Sequence, residues 1–402
     1  MKRLKILYIA LSCGPNLGSE DAVGWNVPLE ASRAGHDVTV LTRGEKRGEI
    51  EAYISKHPGD VYPKFVYQEL SRLASWCKGP FYSIRAKIWC DTVSKRLSEI
   101  CAADKFDVVH QITPVEFRSI VDMSGIEALR VLGPVGGGGD IAPIFAKQYL
   151  SRSDRAIESL RGLMNSLAIK SSKVRHALMS HAVVLAANQE TASVLRRMGW
   201  VKDIQIQSEV AASFKSHHPK NNAGTDEIII GTAGRLHYGK GVSFLLDVVD
   251  CCKKTNVKLL IAGDGPQRQF IENEIKRRGL SNRVELLGLI PHDDIDKFYQ
   301  RLDVFAFPSF REATGTVLVE ALGAGVPCVA FDAFGAREVL KGSPECLVAL
   351  CPTYEETVGS FAKAIETVSR CSVEQSLTPM DWRAQFGSFS NLYTRGLEPE
   401  EL

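Results

Sequence analysis

Apolar positions fall in short continuous runs rich in Val, Ile and Leu, separated by stretches long enough for a helix. In the first half, such runs predict strands at Lys5–Leu11, Asp37–Thr42, Phe106–His110, Leu129–Gly133 and Ala182–Ala187. In the second half they predict strands at Glu227–Thr232, Val257–Ala262, Arg283–Gly288, Asp303–Phe307, Val326–Phe331 and Cys346–Leu350. Runs that are apolar throughout suit strands covered on both faces, and their alternation with helices suits parallel sheets. Each half holds enough strands for a doubly wound sheet of its own. The expected fold class is therefore α/β, with two facing Rossmann-like domains at 1–207 and 208–385 and a closing segment at 386–402. The linker falls at Ser208–Asp226, around Ser216-His217-His218-Pro219 and Asn221-Asn222-Ala223-Gly224. Open α/β sheets bind ligands beyond the carboxyl ends of their strands, so the chemistry should sit in strand-end loops.

Composition narrows this only a little. At about 150 residues per domain, 402 residues make two full-sized domains the simplest reading. With 45% hydrophobic and 24% charged residues, the chain is neither disordered nor a collagen nor a coiled coil. A net charge of +2 gives no reason to expect a nucleic-acid partner. That sum conceals a split: 28 basic against 21 acidic residues over 1–207, and 21 against 26 over 208–402. The ten cysteines form no Cys-x-x-Cys pair, so reduced thiols in a cytoplasmic protein are expected rather than a zinc or disulfide framework. Lys2, Arg3 and Lys5 ahead of Ile6–Leu11 have the look of a signal sequence, but the run is short and reads better as a buried first strand.

Three strand-end loops of the second half carry candidate chemistry. Gly234-Arg235-Leu236-His237-Tyr238-Gly239-Lys240-Gly241 places two cations in a Gly-containing turn before a helix, which suits a diphosphate. Its spacing is not that of a P-loop. Gly263-Asp264-Gly265-Pro266 follows the next strand and has turn chemistry. The third is Pro308-Ser309-Phe310-Arg311-Glu312-Ala313-Thr314-Gly315-Thr316, continuing to Glu320. There a loop carboxylate suits a sugar's hydroxyls and a helix carboxylate a ribose diol. Amides at Gly315 and Thr316 would open a helix, favourable for negative charge.

In this order, Gly-Arg-Leu-x3-Lys-Gly, Gly-Asp-Gly-Pro and Pro-Ser-x2-Glu-x7-Glu-Ala resemble family 4 of the retaining glycosyltransferases, which have the GT-B fold. The resemblance runs from Gly18 to the Asp381-Trp382 segment. It implies transfer of a hexosyl group from a nucleotide-diphosphate sugar to a hydroxyl acceptor, a glycan or lipid-linked saccharide, with no cofactor and no metal. It also implies roles: Arg235 and Lys240 on the diphosphate, Glu312 on the donor sugar, Glu320 on the ribose, and the backbone near Leu289–Ile290 around the base. Gly234, Gly263, Thr314, Gly315 and Thr316 would line the donor site. Thr314 departs from the family, which usually has Phe or a similar residue there. Asp293-Asp294-Ile295-Asp296 contains an Asp-x-Asp, read here as acids capping the helix Ile295–Leu302. A GT-B sugar-nucleotide epimerase and a non-catalytic sugar-nucleotide-binding subunit remain alternatives to a transferase.

The first half is less explicit. Cys13-Gly14-Pro15-Asn16-Leu17-Gly18-Ser19-Glu20-Asp21 lacks Gly-x-Gly-x-x-Gly, which argues against a dinucleotide site. It resembles the family's glycine loop, with Gly18 and Ser19 near the donor phosphates. His110 ends a strand where many relatives carry His-x-His-x-Pro, and this chain has Ile112 at the second position. His110 is thus a candidate for the reaction centre, with a buried structural histidine as the alternative. Gly136–Gly139 suits a close approach to ligand or a hinge. Arg72–Arg96, with Trp76, Phe81, Tyr82 and Trp89, and Lys147–Arg175 concentrate the basic excess. They suit either peripheral contact of the first domain with an anionic membrane or ordinary amphipathic helices packing on it.

Overall fold

The computed structural model describes residues 2–15, 18–70, 82–212, 227–252, 256–291, 294–370 and 381–398. All eleven expected runs form strands, with ends shifted by a few residues. They are β1 Lys5–Ala10, β2 Asp37–Arg43, β4 Val108–Thr113, β5 Leu129–Val135, β6 Val183–Ala186, β8 Glu227–Ala233, β9 Asn256–Ala262, β10 Val284–Gly288, β11 Val304–Phe307, β12 Cys328–Phe331 and β13 Leu347–Val348. Two further strands, β3 Lys64–Gln68 and β7 Gln205–Ile206, lie at the edges of the first sheet. Most of the expected linker, at 213–226, lies outside the described residues.

The strands make two wholly parallel sheets, ordered β3-β2-β1-β4-β5-β6-β7 and β10-β9-β8-β11-β12-β13. Both sheets run outward in two directions from a central pair, β1 beside β4 and β8 beside β11. That reversal of strand order leaves a crevice at the carboxyl ends of each pair.

The chain divides into two compact units, residues 1–138, 160–211 and 381–402, and residues 139–159 and 212–380. This corrects the expected boundaries at two places. Gly139–Ser159 groups with the second unit because Phe145 is buried in that unit's core. Its ring stacks on Phe310 at 4.1 Å, and Tyr149 donates to Asp247. The closing segment begins at Asp381, whose carboxylate caps the helix Trp382–Leu397 by accepting from Ala384 N at 2.6 Å. This helix belongs to the first unit, where Phe389 and Tyr393 are fully buried.

In the second unit, Ile230, Leu259, Leu260, Val304, Phe305 and Val329 fill the sheet at zero exposure. The helices Val242–Cys251 and Tyr354–Val368 supply Phe244, Leu245, Phe361 and Ile365 to the same core. The second of these starts at a reciprocal Thr353–Glu356 capping box. Such packing makes the sheet a rigid base for its strand-end loops.

Candidate functional site

The strand ends of the second unit converge on one constellation, and glycines allow the approach. After β8 the chain turns at Gly234, φ +134°, and after β9 at Gly263, also φ +134°. A Cβ on Gly263 would lie 1.9 Å from the Gly234 carbonyl oxygen, so the two loops meet backbone to backbone. Leu236 N then donates to Asp264 O at 2.9 Å, and Gln267 N to Leu236 O at 3.0 Å. The loop after β11 joins them through Phe310 N, which donates to Gly239 O at 2.9 Å.

Within this frame Lys240 and Glu312, 72 residues apart, form an ion pair. Their side chains keep 34% and 22% of their exposure. A pair so open to solvent contributes about 1 kcal/mol or less to stability. Its importance is positional, since it holds a cation and a carboxylate side by side at the mouth of the sheet. Arg235 is exposed on the same loop. Gly315, buried at φ +104° over the Phe307 ring, opens the helix Thr316–Gly323, and no side chain caps that end. The helix therefore offers backbone amides and the positive end of its dipole beside the pair. Four residues into it, Glu320 is half-buried and accepts from the Tyr299 hydroxyl at 2.9 Å. That hydroxyl gives the carboxylate a hydrogen-bond partner within an otherwise apolar helix. Leu289 is 78% exposed just beyond β10, an apolar platform with Ile290 half-buried behind it.

Two groups essential to this arrangement had no local signature. Glu158 accepts from the Tyr238 hydroxyl at 2.7 Å and pairs with Arg311, tying the β8 and β11 loops together. It is one of only two acids in the basic stretch Lys147–Arg175, which was the available hint. His237 takes the Gly239 amide on Nδ1 at 3.2 Å. Burial, with Arg311 and Arg235 adding to it, lowers its pKa and keeps the ring neutral.

Some expectations are revised. Thr314 is fully buried, so its side chain presents no surface to a sugar. Asp294 does not cap the helix Ile295–Tyr299 with its side chain; it pairs with Lys297 at 2.6 Å. Asp293 lies outside the described residues. Among the described residues, no group of three His, Cys, Asp or Glu side chains is placed to hold a metal.

In the first unit, His110 has zero exposure and spends both nitrogens. Nε2 donates to Gly133 O and Nδ1 accepts from Tyr393 Oη, each at 2.6 Å, and Tyr393 meets Tyr8 Oη at 3.1 Å. Burial drops its pKa to about 3. This is the structural histidine of the two alternatives, a neutral brace between sheet and terminal helix. Gly18 precedes the helix Ser19–Arg33 in extended backbone, and a Cβ there would meet nothing within 4 Å. Two residues on, Glu20 sits at the β1/β4 reversal. It accepts from Tyr82 Oη at 2.7 Å, Val115 N at 3.1 Å and Ser12 Oγ at 3.3 Å. Burial raises its pKa.

Residues 213–375 match the family model described as Glycosyl transferases group 1, the segment that carries the loops above. An uncharacterized glycosyltransferase of Methanocaldococcus jannaschii is 26% identical over 322 residues, 77% of this chain and 75% of that protein. These matches support a glycosyltransferase family 4-like protein. The gpi3 subunit of phosphatidylinositol N-acetylglucosaminyltransferase from Schizosaccharomyces pombe is 28% identical over 229 residues, 56% of this chain and 50% of that one. Among solved structures, the lipopolysaccharide outer core galactosyltransferase WaaB in its apo form superposes with a TM-score of 0.66 at 16% identity, covering 98% of this chain and 100% of that one. The chain thus has the two-domain GT-B fold, and glycosyl transfer is the role these similarities support.

Proposed function

We propose that this protein is a retaining hexosyltransferase, moving a hexosyl group from a nucleotide-diphosphate sugar to a hydroxyl of a glycan or lipid-linked saccharide. The observation that carries the reading is the Lys240–Glu312 pair beside the uncapped amino end of the helix Thr316–Gly323. A diphosphate seated there would take charge-assisted bonds from Lys240 and Arg235 and further bonds from the amides at Gly315 and Thr316. Glu312, released in part from Lys240, accepts from the sugar's hydroxyls. Glu320, aligned by Tyr299, accepts from the ribose diol, and the base rests on Leu289 and Ile290. As the glycosidic bond breaks, charge grows on the leaving diphosphate, where these cations and amides are already arranged. They supply the positive charge without a resident metal. A lipid-linked acceptor would place the reaction at a membrane surface, with the protein as a peripheral visitor on its cytoplasmic face.

A panel of nucleotide sugars in a thermal-shift assay tests the donor site. A true donor at 100 times its Kd should stabilise the protein by about 2.7 kcal/mol. Product analysis by NMR, with donor alone and with acceptor, then reads the anomeric configuration. An α-linked product from an α-linked donor is expected. Isomerised donor in the absence of acceptor, or an inverted linkage, would refute the reading.

A further inference from the structure

The helix Arg152–Lys170 is built inside out. At about 100° per residue, Ala156, Leu160, Leu163 and Leu167 share an arc of about 60°, with Ile157 at its edge. That arc faces outward: Ile157, Leu160, Leu163 and Leu167 are 49%, 57%, 56% and 60% exposed, and no residue of the helix is buried. The polar positions turn the other way. Glu158 reaches Tyr238 and Arg311, Arg161 donates to the Gly137 carbonyl at 3.0 Å, and Asp154 is half-buried against Ser151. A helix that spends its polar face on its own protein and leaves four large apolar side chains in water has an apolar surface available for something else.

Charge identifies the occupant. Both acids of the helix, Asp154 and Glu158, lie on the inward side. Arg152 and Lys170 border the outward arc and are exposed; Arg155 is exposed further round the helix, where its Nε donates to the Leu150 carbonyl at 3.1 Å, and Arg161 lies inward. Beyond the helix end, the Lys173 side chain is 67% exposed. An apolar stripe edged only by cations matches the interface of an anionic bilayer, with leucines in the acyl boundary and the basic groups among headgroup phosphates. A soluble partner of equal fit would need an apolar strip bordered by acids. No helix among the described residues is long and apolar enough to cross a membrane, so the contact lies in the interface plane.

We propose that the outward face of Arg152–Lys170 docks the protein onto an anionic lipid surface. This deepens the lipid-linked acceptor reading, yet its test requires no turnover and so can fail separately. The full chain is sedimented with vesicles of phosphatidylcholine alone and with phosphatidylglycerol added. Binding is expected only with the anionic lipid, weakening as salt rises. The triple variant Leu160→Ser/Leu163→Ser/Leu167→Ser should lose at least tenfold in partitioning. Arg152→Gln/Arg155→Gln/Lys170→Gln should lose about a hundredfold, at about fivefold for each cation near the surface. Circular dichroism and nucleotide-sugar binding should remain as in the parent for both variants, which separates lost docking from lost fold. Unchanged vesicle binding in the leucine variant would overturn the proposal. So would a concentration-dependent dimer that the same variant abolishes while vesicles never bind, since the stripe would then serve a second copy of the chain.

Discussion

Substituting Gly263 by alanine tests the geometry of the loops after β8 and β9, where the donor is proposed to sit, more directly than removing a charge. Two costs add at this position. A residue other than glycine at φ +134° carries roughly 1–3 kcal/mol of backbone strain. The new Cβ would also lie 1.9 Å from Gly234 O and 2.9 Å from Gly234 C, so one loop must move. Overpacking of this kind costs about 1–3 kcal/mol. Gly279 of the same unit supplies the control, at φ +68° with nothing within 4 Å of its would-be Cβ. Gly279→Ala bears only the strain of a left-handed residue, about 1–2 kcal/mol. Urea unfolding should therefore place Gly263→Ala roughly 2 kcal/mol below Gly279→Ala. Calorimetry should show weaker nucleotide-sugar binding for Gly263→Ala alone, because the displaced partner is the first residue of the loop carrying Arg235 and Lys240. Equal destabilisation of the two variants, with donor affinity intact in both, would refute the backbone-on-backbone account.

Other outcomes follow from the same structure. Arg235→Ala and Lys240→Ala should each lose on the order of 3 kcal/mol in kcat/KM, about a hundredfold or more, and unchanged steady-state kinetics in both would sink the diphosphate assignment. Glu158→Gln keeps a partner for Tyr238 but abandons the charge on Arg311, so donor KM should rise roughly tenfold with little change in kcat. Burial lowers His110 to about 3 and His181 to about 4, both below the unfolded value near 6.5. The unfolded chain therefore binds more protons in this window. The first unit should be at full stability above pH 6.5 and lose it as pH falls toward 4, by about 1.4 kcal/mol per pH unit for each unprotonated imidazole. Denaturation across pH 4–7 should show a shallower slope in His110→Gln.

Whatever in this fold is written locally was legible in the sequence. Continuous apolar runs such as Glu227–Thr232 and Val257–Ala262 announce central strands because both faces must be covered. β3, with the sequence Lys64-Phe65-Val66-Tyr67-Gln68, and the two-residue β7 lie at sheet edges, where water satisfies part of each strand and no such run is needed. The strand-end loops of the proposed donor site were legible because Gly234, Gly263 and Gly315 mark backbone that only glycine adopts easily. The contacts that close the site were not. Glu158 reaches Tyr238 across 80 residues and Arg311 across 153, and no local pattern encodes such a pairing. His110 misled for the opposite reason. Its neighbours in sequence place it at a strand end, but Tyr393, 283 residues later, decides that it is a brace.

The charge split between the chain's halves needs the same reinterpretation. It suggested a basic first domain facing an anionic partner. Counted by compact unit, the first has 27 basic against 23 acidic residues and the second 22 against 24. The difference shrinks because the terminal segment 381–402 takes four acids and two cations to the first unit, while Gly139–Ser159 leaves with three of each. A net charge of +4 on a unit of that size is too slight to steer it to a membrane, with screening over a Debye length of about 8 Å at physiological salt. Affinity for an anionic surface must come from arrangement. The helix Arg152–Lys170 has four cations and two acids in all, an unremarkable sum, yet it turns the acids and Arg161 toward its own protein and leaves Arg152, Arg155 and Lys170 exposed. Lipid binding should therefore respond steeply to charge changes on that helix and barely at all to the same number of changes elsewhere on either unit.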